Sequence, residues 1–521
     1  MVRTPWLVFL WICALILYVV LGAANLHFGD LNQDEGWYLY AARQVHEGGL
    51  PYRDFAFTQG PMLPLVYSLA HPLVERWGVS GGRLFTLLLG FAGSMMAAAL
   101  ASRAAPSGRK CVAALLAFIL IAGSVYQSYF TTVVKTYSLC SLFLISGLLA
   151  VSFAGVRAGW LACFAAGILL ALSAGTRLSA GVALPVAGLY LLFMRRCFGD
   201  SRWLSFAAGG ALGLCAVALP FLKLAPDGFW FGMFQYHSYR SAGGILPALV
   251  YKAGFISRFV QAYFLPACLA AAIVLFRWLK PAPAETPPTG RFNVLLWVTG
   301  LAVTLVHFSA PFPYEDYQVM VYPVFAAALA GALISSFKFQ VSDRWTLWLL
   351  LFVFAASVAS AFSSPINQSW MISGRDRIWW KVKDQTPLQK LREVSNWISE
   401  QLGVNDLLLT QDTYLAVEAN LLVPKGMEMG PFSYFPEMDR ERAEKLHVLN
   451  REMMLELLGK TEASMAAFSG YGLAIQSPEV SELSKSDRRR LWDEVEKRYE
   501  EIYEVPDFGQ AFTTLQIFRL K

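Results

Sequence analysis

Asp34-Glu35-Gly36-Trp37-Tyr38-Leu39-Tyr40-Ala41-Ala42 comes shortly after the chain's first apolar stretch, inside a long aromatic loop from Asn25 to Gly60. Adjacent carboxylates at a lipid-water boundary solvate poorly. They suit a catalytic base, which has to sit within reach of the hydroxyl it deprotonates. The same residues also allow a structural reading, with Asn32 or Asp34 as the N-cap of a helix running through Tyr38 to Val45. Local pattern leaves both readings open.

Around this loop the chain is built for membrane. Hydrophobic residues make up 56% and charged residues 15% of 521 positions, with 14% aromatic and a positive mean hydropathy. That is more apolar surface than a soluble core absorbs. Eleven stretches approach the length needed to cross a hydrocarbon core of about 30 Å: 6–24, 82–102, 111–128, 137–155, 159–174, 178–194, 204–222, 262–278, 292–308, 319–336 and 345–362. The expected fold is an α-helical polytopic membrane protein with a small extracytoplasmic α/β domain at its C-terminal end.

Orientation follows from the cations. With Arg3 inside, Arg103, Arg109, Lys110, Arg157, Arg195, Arg196, Arg202, Arg277, Lys280, Arg291, Lys338 and Arg344 fall on the cytoplasmic side, while outer loop 309–318 has no Lys or Arg. Eleven spans then put the C-terminus outside, with the loops that hold Asp34, Arg177 and Tyr236-His237. A cleaved signal peptide ending at Leu21-Gly22-Ala23-Ala24 is the alternative for the first span, and it too leaves Asp34 outside. The net charge of +6 comes mainly from these orienting cations, and the basic runs are too short for nucleic-acid binding. No Cys follows Cys268, so the outer C-terminal region has no disulfide, and no zinc spacing occurs.

Composition breaks near Phe362, dividing the chain into a membrane part, 1–362 with its first outer loop at 25–80, and a polar part, 363–521. Ser363-Ser364-Pro365 and the aromatic-basic stretch Trp370 to Lys383 open the second part. Within it Leu388 to Leu402 reads as an amphipathic helix, Asp406 to Thr410 as a buried strand, Arg488 to Glu500 as a charged helix and Thr513 to Phe518 as a last strand. The Pro-rich stretch Lys280 to Arg291 reads as a cytoplasmic linker. Loops 25–80 and 225–260 mix aromatics with charges, as amphipathic helices in the headgroup region do. Aromatic belts account for single rings there. They do not account for the acidic centre of the first loop.

That loop continues Gly48-Gly49-Leu50-Pro51-Tyr52-Arg53-Asp54-Phe55 and then Gln59-Gly60-Pro61. With its Asp-Glu pair, its Tyr-x-x-Ala helix, its Pro-Tyr-Arg-Asp-Phe segment and a Pro entering the next helix, it resembles the GT-C type polyprenyl-phosphate-sugar glycosyltransferases. Protein O-mannosyltransferases and lipid A aminoarabinose transferases belong to that superfamily. Ala174-Gly175-Thr176-Arg177 looks like the family's turn between mid-chain spans, and Tyr314 to Ala330 like its later Tyr-Pro helix start. The likeness covers the membrane part, is strongest from Asp34 to Tyr67, and is weak beyond it. Where several relatives place an acidic residue and Lys before Pro-Pro, this chain has Gln59-Gly60-Pro61-Met62.

The resemblance implies transfer of a sugar from a polyprenyl phosphate to a hydroxyl, on the outer face, with inversion. Asp34 would be the base, and Glu35 would support it or bind sugar. Arg177 is the first candidate for the lipid phosphate, with Arg53, Lys135, His237 and Arg240 behind it. Cations facing developing phosphate charge in a low-dielectric site are worth several kcal/mol. Snorkelling to the interface is the alternative for Arg177. Tyr38, Tyr52, Asp54, Tyr314 and Tyr317 are the implied sugar or acceptor pocket. His307, Glu315, Asp316 and Tyr317 fit a cavity wall or a solvated turn, and the turn is the expectation. Asp-Glu without an Asp-x-Asp triplet argues against a required divalent metal, so no cofactor is expected. The expected partners are a polyprenyl-linked sugar, a protein, lipid or glycan hydroxyl, and membrane lipid, in an inner membrane.

The main alternative is a transporter or flippase for a lipid-linked substrate. Such proteins place ionisable groups at midplane and repeat their halves. Here the polar residues concentrate in outer loops and no repeat is evident. A membrane anchor serving the C-terminal domain would need catalytic features beyond Phe362, where only His447 and no nucleophile motif stand out.

Overall fold

The computed structural model describes residues 5–238, 244–279, 288–336, 344–363, 385–470, 473, 483–510 and 512–521. Arg3, Arg240, Lys280, Lys338, Pro281, Pro283, Pro287 and the stretch Trp370 to Lys383 lie outside them.

Every one of the eleven apolar stretches carries helix. The helices that matter below are α1 (Pro5–Phe28), α2 (Gln33–His46), α3 (Val79–Ala104), α4 (Thr136–Val151), α5 (Gly159–Thr176), α6 (Asp200–Leu224), α7 (Ile245–Ala262), α8 (Phe264–Leu279) and α9 (Pro288–Ser309). By length and composition five described helices can cross a membrane, six if the bent pair α7 and α8 forms one span, and four more apolar helices are shorter. The chain is an integral membrane protein. The bend of 92° between α7 and α8 departs from expectation. Most of α7 falls in loop 225–260, read above as amphipathic helix, and its apolar face, including Ile245, Leu246, Leu249 and Val250, stays uncovered by protein.

The C-terminal part closes on a four-stranded sheet of order β1-β2-β4-β3, with β1 (Leu408–Thr410), β2 (Met465–Phe468), β3 (Tyr499–Phe508) and β4 (Thr513–Leu520). β1 and β2 run parallel, and β4 pairs antiparallel with both β2 and β3. The expected amphipathic helix is Pro387–Ser399 and the charged one Lys485–Arg498. Glu500, expected at the end of that charged helix, belongs instead to β3. This strand is an edge, and its glutamates keep it soluble there, which hides it from a hydrophobicity reading. β2 is Ala-rich and short, with little strand propensity of its own.

The helix of the first outer loop is covered by protein. Trp37, Tyr38, Leu39, Tyr40, Ala41 and Ala42 are all buried, in one hydrophobic cluster with Leu408, Leu409, Tyr414, Leu415 and Ile517 of the C-terminal part. The Tyr40 hydroxyl accepts the Val423 N–H at 3.1 Å, and Arg43 donates to the Leu421 carbonyl at 3.0 Å and to Asn405 at 2.6 Å. Helix α2 is therefore a filling between the membrane bundle and the sheet. Its closest approach is to α10 (Thr413–Glu418), where a Cβ on Gly36 would stand 2.2 Å from the Tyr414 nitrogen and 2.6 Å from the Thr413 hydroxyl.

Gly36→Ala is expected to lower the melting temperature of the purified protein, by an overpacking cost of about 1–3 kcal/mol. Gly108→Ala, where no atom lies within 4 Å of the added carbon, should leave melting unchanged. Burial also pushes the Glu428 carboxyl from its ordinary 4.5 up to about 7. Between those values the folded chain keeps a proton that the unfolded chain has released, so stability is full below about 4.5 and falls as pH rises to about 7. Glu428→Gln should flatten that part of a melting-temperature profile; an unchanged slope would assign it to other groups.

Candidate functional site

Asn32 settles the capping question. Its side chain accepts from the Asp34 N–H at 3.1 Å, and its own N–H donates to Glu35 at 2.9 Å, a capping box that starts α2. Asp34 is thereby left with its carboxylate uncommitted to the cap. One oxygen, Oδ1, accepts from the Trp37 indole at 3.2 Å, and the other, Oδ2, lies 3.3 Å from the Lys135 ammonium. The Asp34 side chain is 27% exposed, against 10% for Lys135 and 15% for Asp316.

Lys135 sits between two carboxylates. Its Nζ is 3.2 Å from Asp316 Oδ2, which also accepts the Tyr137 hydroxyl at 2.8 Å. The next residue along the chain, Thr136, accepts from Arg177 Nη1 at 3.1 Å, and the Arg177 guanidinium lies over Tyr317 at 4.2 Å and over Tyr137 at 5.2 Å. Aromatic faces hold a cation without neutralising it. Burial, then the neighbouring Asp34, raise the pKa of the Tyr38 phenol well above its ordinary value, so Tyr38 is a neutral hydroxyl within this group of charges. The loop of Asp316 is fixed from behind. His307 accepts from Gln318 at Nδ1, 2.9 Å away, which leaves its Nε2 to donate to Ser179 at 2.8 Å.

Glu35 is turned the other way. Residues one apart on a helix do not face each other, and Glu35 is fully buried against Arg83 of α3, with Nε and Nη2 each 2.7 Å from a carboxylate oxygen. Oε1 also accepts the Val134 N–H at 3.2 Å. Its part is to hold α2 and the residue before Lys135 in place, bonded to Asn32, Arg83 and Val134 and turned away from Asp34.

The structure thus brings together Asp34, Tyr38, Lys135, Arg177 and Tyr317, with Tyr314 beside them, its ring 5.6 Å from Tyr317. It does not bring in Arg53 and Asp54, which pair with one another at 2.6 Å on an exposed turn. Nor does it bring in Tyr52, whose buried ring packs on Phe221 and Phe229 and whose hydroxyl donates to the Gln59 carbonyl. His237 bonds the Thr58 carbonyl at 2.9 Å and serves to pin the first loop. Arg240 lies outside the described residues. Asp316 and His307, expected as solvated turn residues, are enclosed instead, because the loop folds back beneath Arg177. Tyr137 and Arg83 escaped the sequence reading. Arg83 had a usable signal, being an ionisable residue at the start of an apolar span.

At Gln59-Gly60-Pro61 the glycine sits where a side chain has no room. A Cβ there would be 2.0 Å from the Gly175 carbonyl, so the end of the first loop lies directly on the turn that leads to Arg177. Among the described residues no three His, Cys, Asp or Glu side chains converge as a metal site would require.

No protein-family model matches the sequence, and no curated protein does. Solved structures do match. ArnT from Cupriavidus metallidurans bound to undecaprenyl phosphate superposes with a TM-score of 0.61 at 15% identity, over 99% of this chain and 98% of that one. The apo oligosaccharyltransferase of Archaeoglobus fulgidus gives 0.53 at 12% identity, over 97% of this chain and 74% of its own. The arabinofuranosyltransferase AftD from Mycobacteria gives 0.50 at 15%, over all of this chain and 40% of that one.

Removing one partner of the buried pair, by Glu35→Ala or Arg83→Ala, should cost about 3–5 kcal/mol of stability, read as loss of monodisperse protein on gel filtration. The double variant should lose less than the sum; strictly additive losses would mean that the two side chains act independently. At identities this low the likeness establishes the fold alone, one that this chain shares over nearly its whole length with ArnT and with the archaeal oligosaccharyltransferase.

Proposed function

We propose that this chain is a membrane glycosyltransferase that moves a sugar from a polyprenyl phosphate to a hydroxyl acceptor, with inversion, at the outer face of an inner membrane. The N-terminus then lies inside and the C-terminal part outside. The observation that carries the reading is a partly accessible Asp34 carboxylate held 3.3 Å from the Lys135 ammonium, with Arg177 bonded to the next residue along, Thr136. An acceptor hydroxyl oxygen forms the new bond to the anomeric carbon while the bond to the phosphate oxygen breaks, its electron pair leaving with the phosphate. Asp34 Oδ2 takes the hydroxyl proton. Lys135 and Arg177 meet the charge gathering on the departing phosphate, in a setting where little water competes.

The cation that several relatives carry near the end of the first loop is absent at Gln59-Gly60. On this reading Lys135 supplies it from the start of α4. The reaction runs without a divalent metal, because the Lys135 ammonium already stands between Asp34 and Asp316, 3.3 and 3.2 Å from their oxygens. The undecaprenyl phosphate named for the ArnT structure supports a lipid phosphate donor.

A transfer assay with a panel of polyprenyl-phosphate sugars tests this. Asp34→Asn should lower turnover by roughly 10²–10⁴-fold while donor binding persists, and Arg177→Ala should weaken donor binding more than it weakens folding. Chelator should leave the native rate unchanged. The reading fails if the native protein transfers none of the sugars while the Asn form matches it in every binding test.

A further inference from the structure

A cleft of about 450 Å³ opens on the seam between the two parts of the chain. One wall is the short helix Pro226–Trp230 and the π-helical turn Phe231–Gln235; the other is the helix Arg440–Lys445 of the C-terminal part. Lys445 pairs with Asp227 at 2.5 Å, and Arg442 donates to Gln235 at 3.1 Å, so the walls are tied across the seam by their own side chains. Trp230 stands in the cleft with 52% of its surface open, flanked by the exposed acids Asp439 and Glu441. The aromatic loop that the first outer loop's chemistry leaves unused thus forms a wall of its own.

The cleft is connected to Asp34 through rings. Phe231, next to Trp230, packs on Phe435 at 5.6 Å, and Phe432 in the same segment packs edge-on at 6.0 Å against Trp37, whose indole holds Asp34. The segment that forms one wall of the cleft is thus packed, ring on ring, to the residue that bonds Asp34.

From this placement we infer that the cleft is the docking subsite for an uncharged, polyhydroxylated acceptor: a glycan, or the sugar portion of a glycosylated molecule. The inference rests on the glycosyltransferase reading. An open indole offers a flat apolar face to the C–H side of a pyranose ring, while the exposed carboxylates of Asp439 and Glu441 accept hydrogen bonds from its hydroxyls. Acyl chains do not fit a wall carrying five charged side chains. A polyanion does not fit either, since three carboxylates face two cations that Asp227 and Gln235 already engage.

The full-length protein in nanodiscs, with chitotetraose or mannotetraose as probe, provides the test by saturation-transfer NMR. Native protein should pass saturation to sugar ring protons. Trp230→Ala, at a half-exposed position that the fold tolerates, should weaken binding roughly tenfold. With a working transfer assay the same variant should raise acceptor KM by that factor and leave kcat and donor affinity unchanged. The subsite is overturned if neither sugar receives saturation from native protein, if Trp230→Ala binds as well as native, or if Trp230 contacts only lipid acyl protons. Sugar binding by a native protein that transfers nothing would leave the subsite standing and remove the enzymatic reading.

Discussion

One buried ion pair sets the geometry on which everything else rests. Arg83 directs its fork at Glu35 and its remaining donors at the carbonyls of Asn25 at 3.4 Å, Gly29 at 3.0 Å and Asp30 at 2.8 Å. Glu35 in turn takes up the N–H of Asn32, at the start of α2, and that of Val134, just before Lys135. Two fully desolvated charges add little net stability over an apolar pair of the same size. What they fix is register. Asp34 and Lys135 come from segments a hundred residues apart, and each is the chain neighbour of a group that this carboxylate or its cap holds. A shift of either segment would leave a buried charge without partners, which is far costlier than losing a van der Waals contact.

The second constraint is that the polar part of the chain completes the membrane part. Tyr40, Arg43 and Gln33 of α2 bond respectively to Val423, to Leu421 and Asn405, and to Gln510. The seam has the character of an interior, with a continuous set of buried rings and aliphatic side chains crossing it. The C-terminal part reaches the neighbourhood of Asp34 through the turn Gly430–Ser433, whose Phe432 packs on Trp37.

Much of this was legible in the chain. Apolar length found the helices, and the placement of Asp34 beyond the first of them, joined to the resemblance of its loop, singled out Asp34 and Arg177, which the fold places in one group. Other features obeyed rules that act only in three dimensions. Adjacent residues on a helix point about 100° apart, so Glu35 could share the motif of Asp34 and none of its surroundings. The grouping of Lys135, Asp316 and Tyr137 depends on a loop closing beneath Arg177, and no local spacing encodes that. Arg53, Tyr52 and His237 carried the right chemistry in the right loop, yet turn geometry and ring packing used them for the loop's own construction. Edge strand β3 was hidden because solubility there requires the charges that a strand reading discounts.

Helix α3 begins in an unusual way. Its first amide, on Val79, is met at 2.7 Å by the carboxylate of Glu418, and Gly78, with φ of 58°, leaves room where any side chain would collide with that carboxylate. The positive end of a helix that carries Arg83 is thus neutralised by a residue translated more than three hundred positions later. The electrostatics at the start of α3 therefore depend on the C-terminal part lying in place, which couples the buried ion pair to the docking of a segment far away in the sequence.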